Sequence, residues 1–263
     1  MKQSRSSFRA SLRTLAMVTK TIYYLSIDLR TSLKATGLPA SITRRWHASM
    51  CNLGGVDVAV IGTPQTQGSV LFVSNHISYI DILVIGGVID GCFIAKAEVE
   101  GWPVFGWLAK QRRTMFVERS SRHSKNQGNW LKDRLASGDD LILFPEGTST
   151  DGQQVLPFKS TLFAAVENST PIDDVIIQPI TVAYNRYDGG PLCDKTRPRY
   201  AWYDDMTLGA HLWYWLGLKR VGVDLIFHEP VKASSYSSRK DLATHCFQVV
   251  AKGLQDSRKI AEI

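Results

Sequence analysis

From Val56 onward the chain alternates short β-branched runs with helix-length stretches, and this alternation narrows the folds open to it more than any other feature. Strands are expected over 56–61, 70–74, 92–95, 114–118, 141–144, 175–184, 199–203 and 221–228. Helices are expected over 79–88, 103–110, 124–137, 159–168, 207–216 and 238–262. Strand–helix–strand order predicts an α/β fold: a mixed central sheet flanked by helices. A chain of 263 residues buries roughly 70–75% of its unfolded surface, so it needs no disulfide or metal to hold it together. The four cysteines, Cys51, Cys92, Cys193 and Cys246, form no C-x-x-C pair. That spacing argues against a zinc site or a disulfide framework and for a reducing compartment.

Residues 1–50 form an arm of different character from the body over 51–263, with 34–41, containing Gly37 and Pro39, as the expected linker. The arm carries nine Lys and Arg against one acid, Asp28, whereas the body is almost neutral. Leu15, Val18, Ile22, Leu25 and Leu29 recur at steps of three and four, a stripe roughly 80° wide on a helix. Arg13, Lys20 and Asp28 fall towards the other side. The segment is too charged for a membrane span, which needs about 20 mostly apolar residues, and lacks a signal-peptide cleavage site. Such a helix either packs on the protein's own core or lies in a bilayer interface, drawn to an anionic surface. A nucleic-acid partner would account for the charge but not for the apolar stripe, so no nucleic acid is expected.

Four segments carry candidate chemistry. Ser74-Asn75-His76-Ile77-Ser78-Tyr79-Ile80-Asp81 follows an apolar strand and precedes an apolar helix. A histidine at a strand's C-terminal end stands where α/β folds bind ligands. His76 and Asp81 would lie about 140° apart on a single helix, so they meet only if His76 is in the loop and Asp81 in the first helical turn. Asp81 could then fix the imidazole tautomer and leave the other nitrogen to accept a proton. Ser78 and Asp81 also read as a capping box, which would make the pair plain helix-start chemistry. The run 114–118 leads into Arg119, whose planar fork suits an anion. The strand 141–144 runs into Pro145-Glu146-Gly147-Thr148, a tight turn with a carboxylate on it. In Ile177-Gln178-Pro179-Ile180, a proline inside an apolar strand implies a sheet edge or a bulge. His211, among aromatic residues, and His228, at a strand end, read as structural.

Taken in order, Asn75-His76…Asp81, Phe116…Arg119, Phe144-Pro145-Glu146-Gly147-Thr148 and Gln178-Pro179-Ile180 resemble the four motifs of the glycerolipid acyltransferases, the family of bacterial 1-acylglycerol-3-phosphate acyltransferases. The resemblance covers roughly 55–185. Ala95-Lys96-Ala97-Glu98 with Gly101-Trp102-Pro103 is similar to a subgroup that includes lyso-ornithine lipid acyltransferases. By resemblance, His76 is the catalytic base and Asp81 its partner. Arg119 contacts the acceptor's phosphate, and Glu146, Gly147 and Thr148 form the acceptor-binding turn. Lys159, just past that turn, is a second candidate cation. The chain departs from the family pattern at Ser149, where arginine is frequent, and at Thr161, where glycine is frequent.

The reaction so implied moves a fatty acyl group from acyl-CoA or acyl carrier protein to the hydroxyl of 1-acyl-sn-glycerol 3-phosphate, giving phosphatidic acid in phospholipid biosynthesis. Acylation of lyso-ornithine lipid is the alternative, and a non-catalytic lipid- or acyl-carrier-binding protein is the alternative of a different class. No metal and no cofactor beyond the thioester donor is expected, since the carrier activates the acyl group. The expected location is the cytoplasmic face of the inner membrane, held peripherally or by shallow insertion of the N-terminal helix.

Overall fold

The computed structural model describes residues 5–32, 40–102, 106, 109–110, 114–117, 124–166 and 175–262. Its centre is a mixed sheet built from β1 (Val56–Ile61), β2 (Val70–Ser74), β3 (Cys92–Lys96), β4 (Met115–Val117), β5 (Leu141–Leu143), β6 (Ile176–Tyr187) and β8 (Val221–Phe227). These stand in the order β1-β8-β6-β2-β5-β3-β4, and two short strands, β7 (Gly190–Pro191) and β9 (Val231–Lys232), pair with β6. All neighbours from β6 to β4 run parallel, as do β1 and β8; only β6 with β8, β7 and β9 is antiparallel. The expected mixed α/β sheet is therefore what forms.

Helices cover both faces, as a sheet with largely parallel strands requires. On one face Phe72, Ile180, Val182, Tyr184, Val223 and Leu225 pack with Ile80, Val84 and Ile85 of α3 (Ile80–Gly86) and Trp215 of α5 (Leu208–Leu216). On the other, Leu71, Val73, Leu141, Leu143 and Ile177 pack with Leu131 and Leu135 of α4 (Ser124–Ala136) and Leu242, Cys246, Val250 and Leu254 of α6 (Arg239–Glu262). The alternation of residues 71, 72 and 73 between the two clusters is the period-two rule of a strand buried on both sides.

Two helices precede the sheet. α1 (Ser7–Ser32) is the expected amphipathic helix, and α2 (Ala40–Gly54) was not expected. The inward residues of α2 include Thr43, His47, Met50 and Cys51, a helical stripe half made of polar types, which an apolar-periodicity reading passes over. Gly86 and Gly87 at the end of α3 let α2 approach: a Cβ on Gly86 would lie 2.7 Å from His47 Nδ1. Of the linker 34–41, residues 34–39 lie outside the described residues, while Ala40 and Ser41 begin α2.

In α1, Leu15, Val18 and Ile22 point to solvent, at 65%, 51% and 61% exposure. Leu25 is half-buried, and the side chain of Leu29 lies outside the described residues. Part of the basic side faces inward: Arg9 Nη1 donates to Gly217 O at 2.9 Å, and Arg13 Nη1 to Leu216 O and Leu218 O at 3.2 and 2.8 Å. Those carbonyls close α5, where a helix leaves acceptors unpaired and favours a cation. No described helix is long and apolar enough to cross a membrane.

Three other expectations change. The strand over 199–203 is instead a 3-10 turn (Arg197–Arg199) followed by irregular chain. Tyr200 and Ala201, adjacent in sequence, are both fully buried, which a strand's alternation forbids on a one-sided surface, and Trp202 N donates to Ile77 O. The helix over 159–168 is a 3-10 turn (Ser160–Val166) that buries Phe163 and Val166. Residues 167–168, and most of the helix expected over 103–110, lie outside the described residues.

Pro179 marks neither an edge nor a bulge: β6 is interior. Pro179 O accepts from His228 N at 3.0 Å, and the return bond that proline cannot donate is supplied by Gln178 Nε2, which donates to His228 O at 2.9 Å. The same amide ties down the loop after β1 through Thr63 O and Gln65 N.

Candidate active site

β2 ends at Ser74, and the next side chain continues its ladder. Asn75 Nδ2 donates to Val182 O at 2.9 Å and Asn75 Oδ1 accepts from Val182 N at 2.8 Å. An asparagine amide carries one donor and one acceptor side by side, as a peptide does, so this buried residue adds a rung between loop and β6. It fixes where His76 leaves the sheet, at the C-terminal ends of the parallel strands.

His76 lies in the loop and Asp81 in the first turn of α3, as their spacing required. His76 Nδ1 stands 2.9 Å from Asp81 Oδ2. The same oxygen accepts the backbone N–H groups of Ile77 and Ser78 at 2.7 and 2.9 Å, and Asp81 Oδ1 accepts the Tyr184 hydroxyl at 2.8 Å. Four donors thus converge on a carboxylate that is wholly buried. Of the expected capping box only the carboxylate half is made; Ser78 Oγ lies 3.4 Å from Ile80 N instead of receiving Asp81 N–H. The carboxylate accepts from Nδ1, which leaves Nε2 as the acceptor nitrogen. The ring stacks on Phe144 (4.1 Å between centroids, 20° between planes), and Phe144 stacks in turn on Phe93. With 19% of its side chain exposed, His76 is open on one side only.

The turn after β5 grips the histidine from beneath. Phe144 O accepts from Gly147 N at 3.0 Å, with Pro145 presetting the bend. Glu146 points inward, 2% exposed: Oε1 accepts His76 N–H at 2.7 Å and Oε2 accepts Leu156 N–H at 2.7 Å. Burial pushes its carboxyl up to about 8, against the pull of those two donors in the other direction. His76 O in turn accepts from Thr150 N at 3.0 Å. Both backbone polar groups of His76 are therefore held by the 146–150 segment.

Of the remaining expected site residues, Gly147 adopts φ +71, and Lys159 lies across it, so that a Cβ there would meet Lys159 Nζ at 2.7 Å. Lys159 N donates to Pro145 O at 2.9 Å, which brings its exposed side chain back over the turn. Thr148 is exposed on the same turn. Arg119 lies outside the described residues. His211 is partnered by Tyr79 and His228 by Thr181, and burial lowers the pKa of both imidazoles.

Sequence reasoning gave no role to Phe144, Thr150 or Tyr184. For Tyr184 a signal existed: it follows Val182 and Ala183 in a central strand, and a phenol buried there must find a partner for its hydroxyl. The others act through backbone position or ring stacking, which residue type does not disclose.

Four similarities bear on this geometry. Residues 57–183 match the model of the family described as Acyltransferase. A lyso-ornithine lipid O-acyltransferase of Rhodobacter capsulatus is 42% identical over 76% of this chain and 71% of its own length. A 1-acyl-sn-glycerol-3-phosphate acyltransferase of Neisseria gonorrhoeae is 26% identical over 99% of this chain and all of its own. Among solved structures, the 1-acyl-sn-glycerophosphate acyltransferase of Thermotoga maritima superposes with a TM-score of 0.67 at 24% identity, covering 95% of this chain and 96% of that one, and so shares the fold. The segment matched by the family model holds His76, Asp81 and Glu146, and on the relationship to the Rhodobacter enzyme this chain belongs to the acyltransferase family.

Proposed function

We propose that the protein moves a fatty acyl group from an acyl thioester, carried by coenzyme A or acyl carrier protein, to the free hydroxyl of 1-acyl-sn-glycerol 3-phosphate. The observation that carries this reading is the His76–Asp81 pair, 2.9 Å apart at the sheet's C-terminal edge with Nε2 left to accept a proton. His76 Nε2 takes the proton of the acceptor hydroxyl as its oxygen bonds to the thioester carbonyl carbon. The tetrahedral intermediate expels the thiolate, the C–S bond breaks, and the imidazolium returns the proton to sulfur, leaving an ester and a free thiol. Asp81 holds the tautomer and faces the imidazolium while it exists. The Ile77 and Ser78 N–H groups are spent on Asp81, so the developing oxyanion draws its donors from elsewhere.

A phosphomonoester headgroup carries about −1.5 to −2 charge and needs cations near the turn. Lys159, lying over Gly147, is so placed, and Arg119 is the residue that the resemblance assigns. In this reading Glu146 braces the loop while Thr148 and Lys159 face the headgroup. A second reading, acylation of lyso-ornithine lipid, is favoured by the 42% identity to the Rhodobacter enzyme of that name and by Ser149, where arginine is frequent in the family.

The lipid acceptor lies in a membrane, and the exposed Leu15–Ile22 face of α1 suits shallow, peripheral insertion at the cytoplasmic face of the inner membrane. The test is to incubate purified protein with each lyso-lipid separately, using the same labelled acyl donors and the same vesicles. Labelled phosphatidic acid, absent with His76→Ala, is the expected product. Acylation of lyso-ornithine lipid alone would transfer the function to the second reading, and acylation of neither would defeat both.

A further inference from the structure

Tyr184 lies outside every segment that pointed to the chemistry, yet it reaches the reacting pair. It sits on β6, four residues beyond Ile180, the last β6 residue paired with β2, and so projects beneath the loop that carries His76. Its side chain is only 1% exposed, and its hydroxyl donates to Asp81 Oδ1 at 2.8 Å, the oxygen that His76 does not use. The strand position is fixed from both ends. Val182, two residues earlier on the same face, is clamped by the Asn75 amide, and the buried Arg197 guanidinium donates to Tyr184 O.

We propose that Tyr184 is a positioning residue for the acyl transfer: by donating to the outer oxygen of Asp81 it draws charge away from the inner one and so sets how tightly His76 holds the proton it takes from the acceptor. This rests on the reading of His76 as the base. The physical argument is charge-sharing within one carboxylate. A donor on Oδ1 reduces the negative charge that Oδ2 presents to the imidazolium. Removing the donor leaves Oδ2 more negative, stabilises the imidazolium, and moves the pH at which the base becomes free upwards.

The groups that face this pair are few. His76 and Tyr79 come from the loop, Glu146 from the turn after β5, Cys51 from α2, and Tyr200 and Arg197 from the chain after β7. Burial pushes the Cys51 thiol up to about 12 and the Tyr79, Tyr184 and Tyr200 phenols further, so these stay neutral. Arg197 keeps its charge. Burial pushes Glu146 up to about 8, and neither Tyr184→Phe nor Tyr200→Phe touches the two backbone N–H groups that it accepts.

The experiment is the pH dependence of kcat/KM for wild type, Tyr184→Phe and Tyr200→Phe, with thermal unfolding recorded for each. Tyr184→Phe keeps the ring and removes only the donor. Its acid limb is expected about half a unit to one unit higher, which reads as a roughly threefold to tenfold loss on that limb and near-equality at high pH. Tyr200→Phe, whose buried hydroxyl has no hydrogen-bond partner among the described residues, leaves the limb in place. 3-Fluorotyrosine placed at 184, a stronger donor of nearly the same shape, moves the limb the other way, and this variant keeps the test open if the phenylalanine protein does not fold. A uniform loss at all pH values, or an unmoved limb with both variants, overturns the inference. His76→Ala separates the two claims: if that protein keeps its turnover, the base assignment falls, whereas if it is inactive and the Tyr184 limb is unmoved, only the role of Tyr184 falls.

Discussion

Glu146 Oε1 accepts the backbone N–H of His76 at 2.7 Å, so a carboxylate in one motif holds the main chain of the proposed base in another. Its second oxygen is occupied by Leu156 N–H. Glu146→Gln keeps one acceptor and turns an NH2 group towards an N–H donor, leaving a buried group unpaired at a cost of about 1–3 kcal/mol. The folded-state pKa of about 8 lies above the unfolded value of 4.5, so the folded form binds the extra proton between them. The stability this proton brings is complete below about 4.5 and is lost as pH rises through about 8. Gln does not titrate. Urea unfolding of both proteins at pH 5.5, 7 and 8.5 is therefore expected to show the wild-type advantage shrinking as pH rises; an advantage that grows would contradict the assignment.

Removing the proposed base should cost more than removing its partner. His76→Ala is expected to lower kcat by about 10²–10⁴-fold, the usual contribution of a positioned general base. Asp81→Asn lowers it less, because an amide still fills the site. Thioester consumption by each purified variant, with circular dichroism to establish folding, reads both effects.

Membrane attachment should resist salt. Arg9 and Arg13 are engaged by the carbonyls that close α5, so less of the arm's charge is open to a lipid surface than its composition suggests. Wild-type protein is expected to keep most of its binding to anionic vesicles in 1 M salt, where the screening length is about 3 Å. Leu15→Glu combined with Ile22→Glu removes two exposed apolar side chains and should weaken vesicle flotation at least about tenfold, with the melting temperature unchanged.

Gly147 is required twice over, for its φ of +71 and for the passage of Lys159 above it. Gly147→Ala is expected to destabilise by about 1–2 kcal/mol and to push the ammonium aside. Lys159→Ala removes the ammonium without strain. Both should raise the acceptor KM, while only the glycine variant melts earlier. Steady-state kinetics at saturating donor, paired with thermal unfolding, separates the two.

The sheet was legible in the sequence because strands such as Val70–Ser74 and Leu141–Leu143 are short apolar runs bounded by turn residues. The His76–Asp81 pairing was legible because five-residue spacing admits contact only across a loop-to-helix step. α2 was not legible, since Thr43 and His47 occupy core positions that apolar periodicity does not count. The inward aim of Glu146 was not legible either. A carboxylate on a Pro-Gly turn reads as exposed, and only the backbone N–H groups of His76 and Leu156, 70 and 10 residues distant, explain why it turns in.

Pro179 has a consequence for how the chain finds this arrangement. Only one alignment of β6 against β8 places the proline opposite His228, where Gln178 can answer the carbonyl that proline leaves unserved. A slip by one residue would put a donor-less position in mid-ladder, strand the Gln178 amide, and rotate every later side chain of β6 to the opposite face. Tyr184, five residues on, would then point away from Asp81. The proline thus acts as an alignment key, and the placement of a buried hydroxyl beneath the His76–Asp81 pair is decided by an imino acid on the far side of the strand's midpoint.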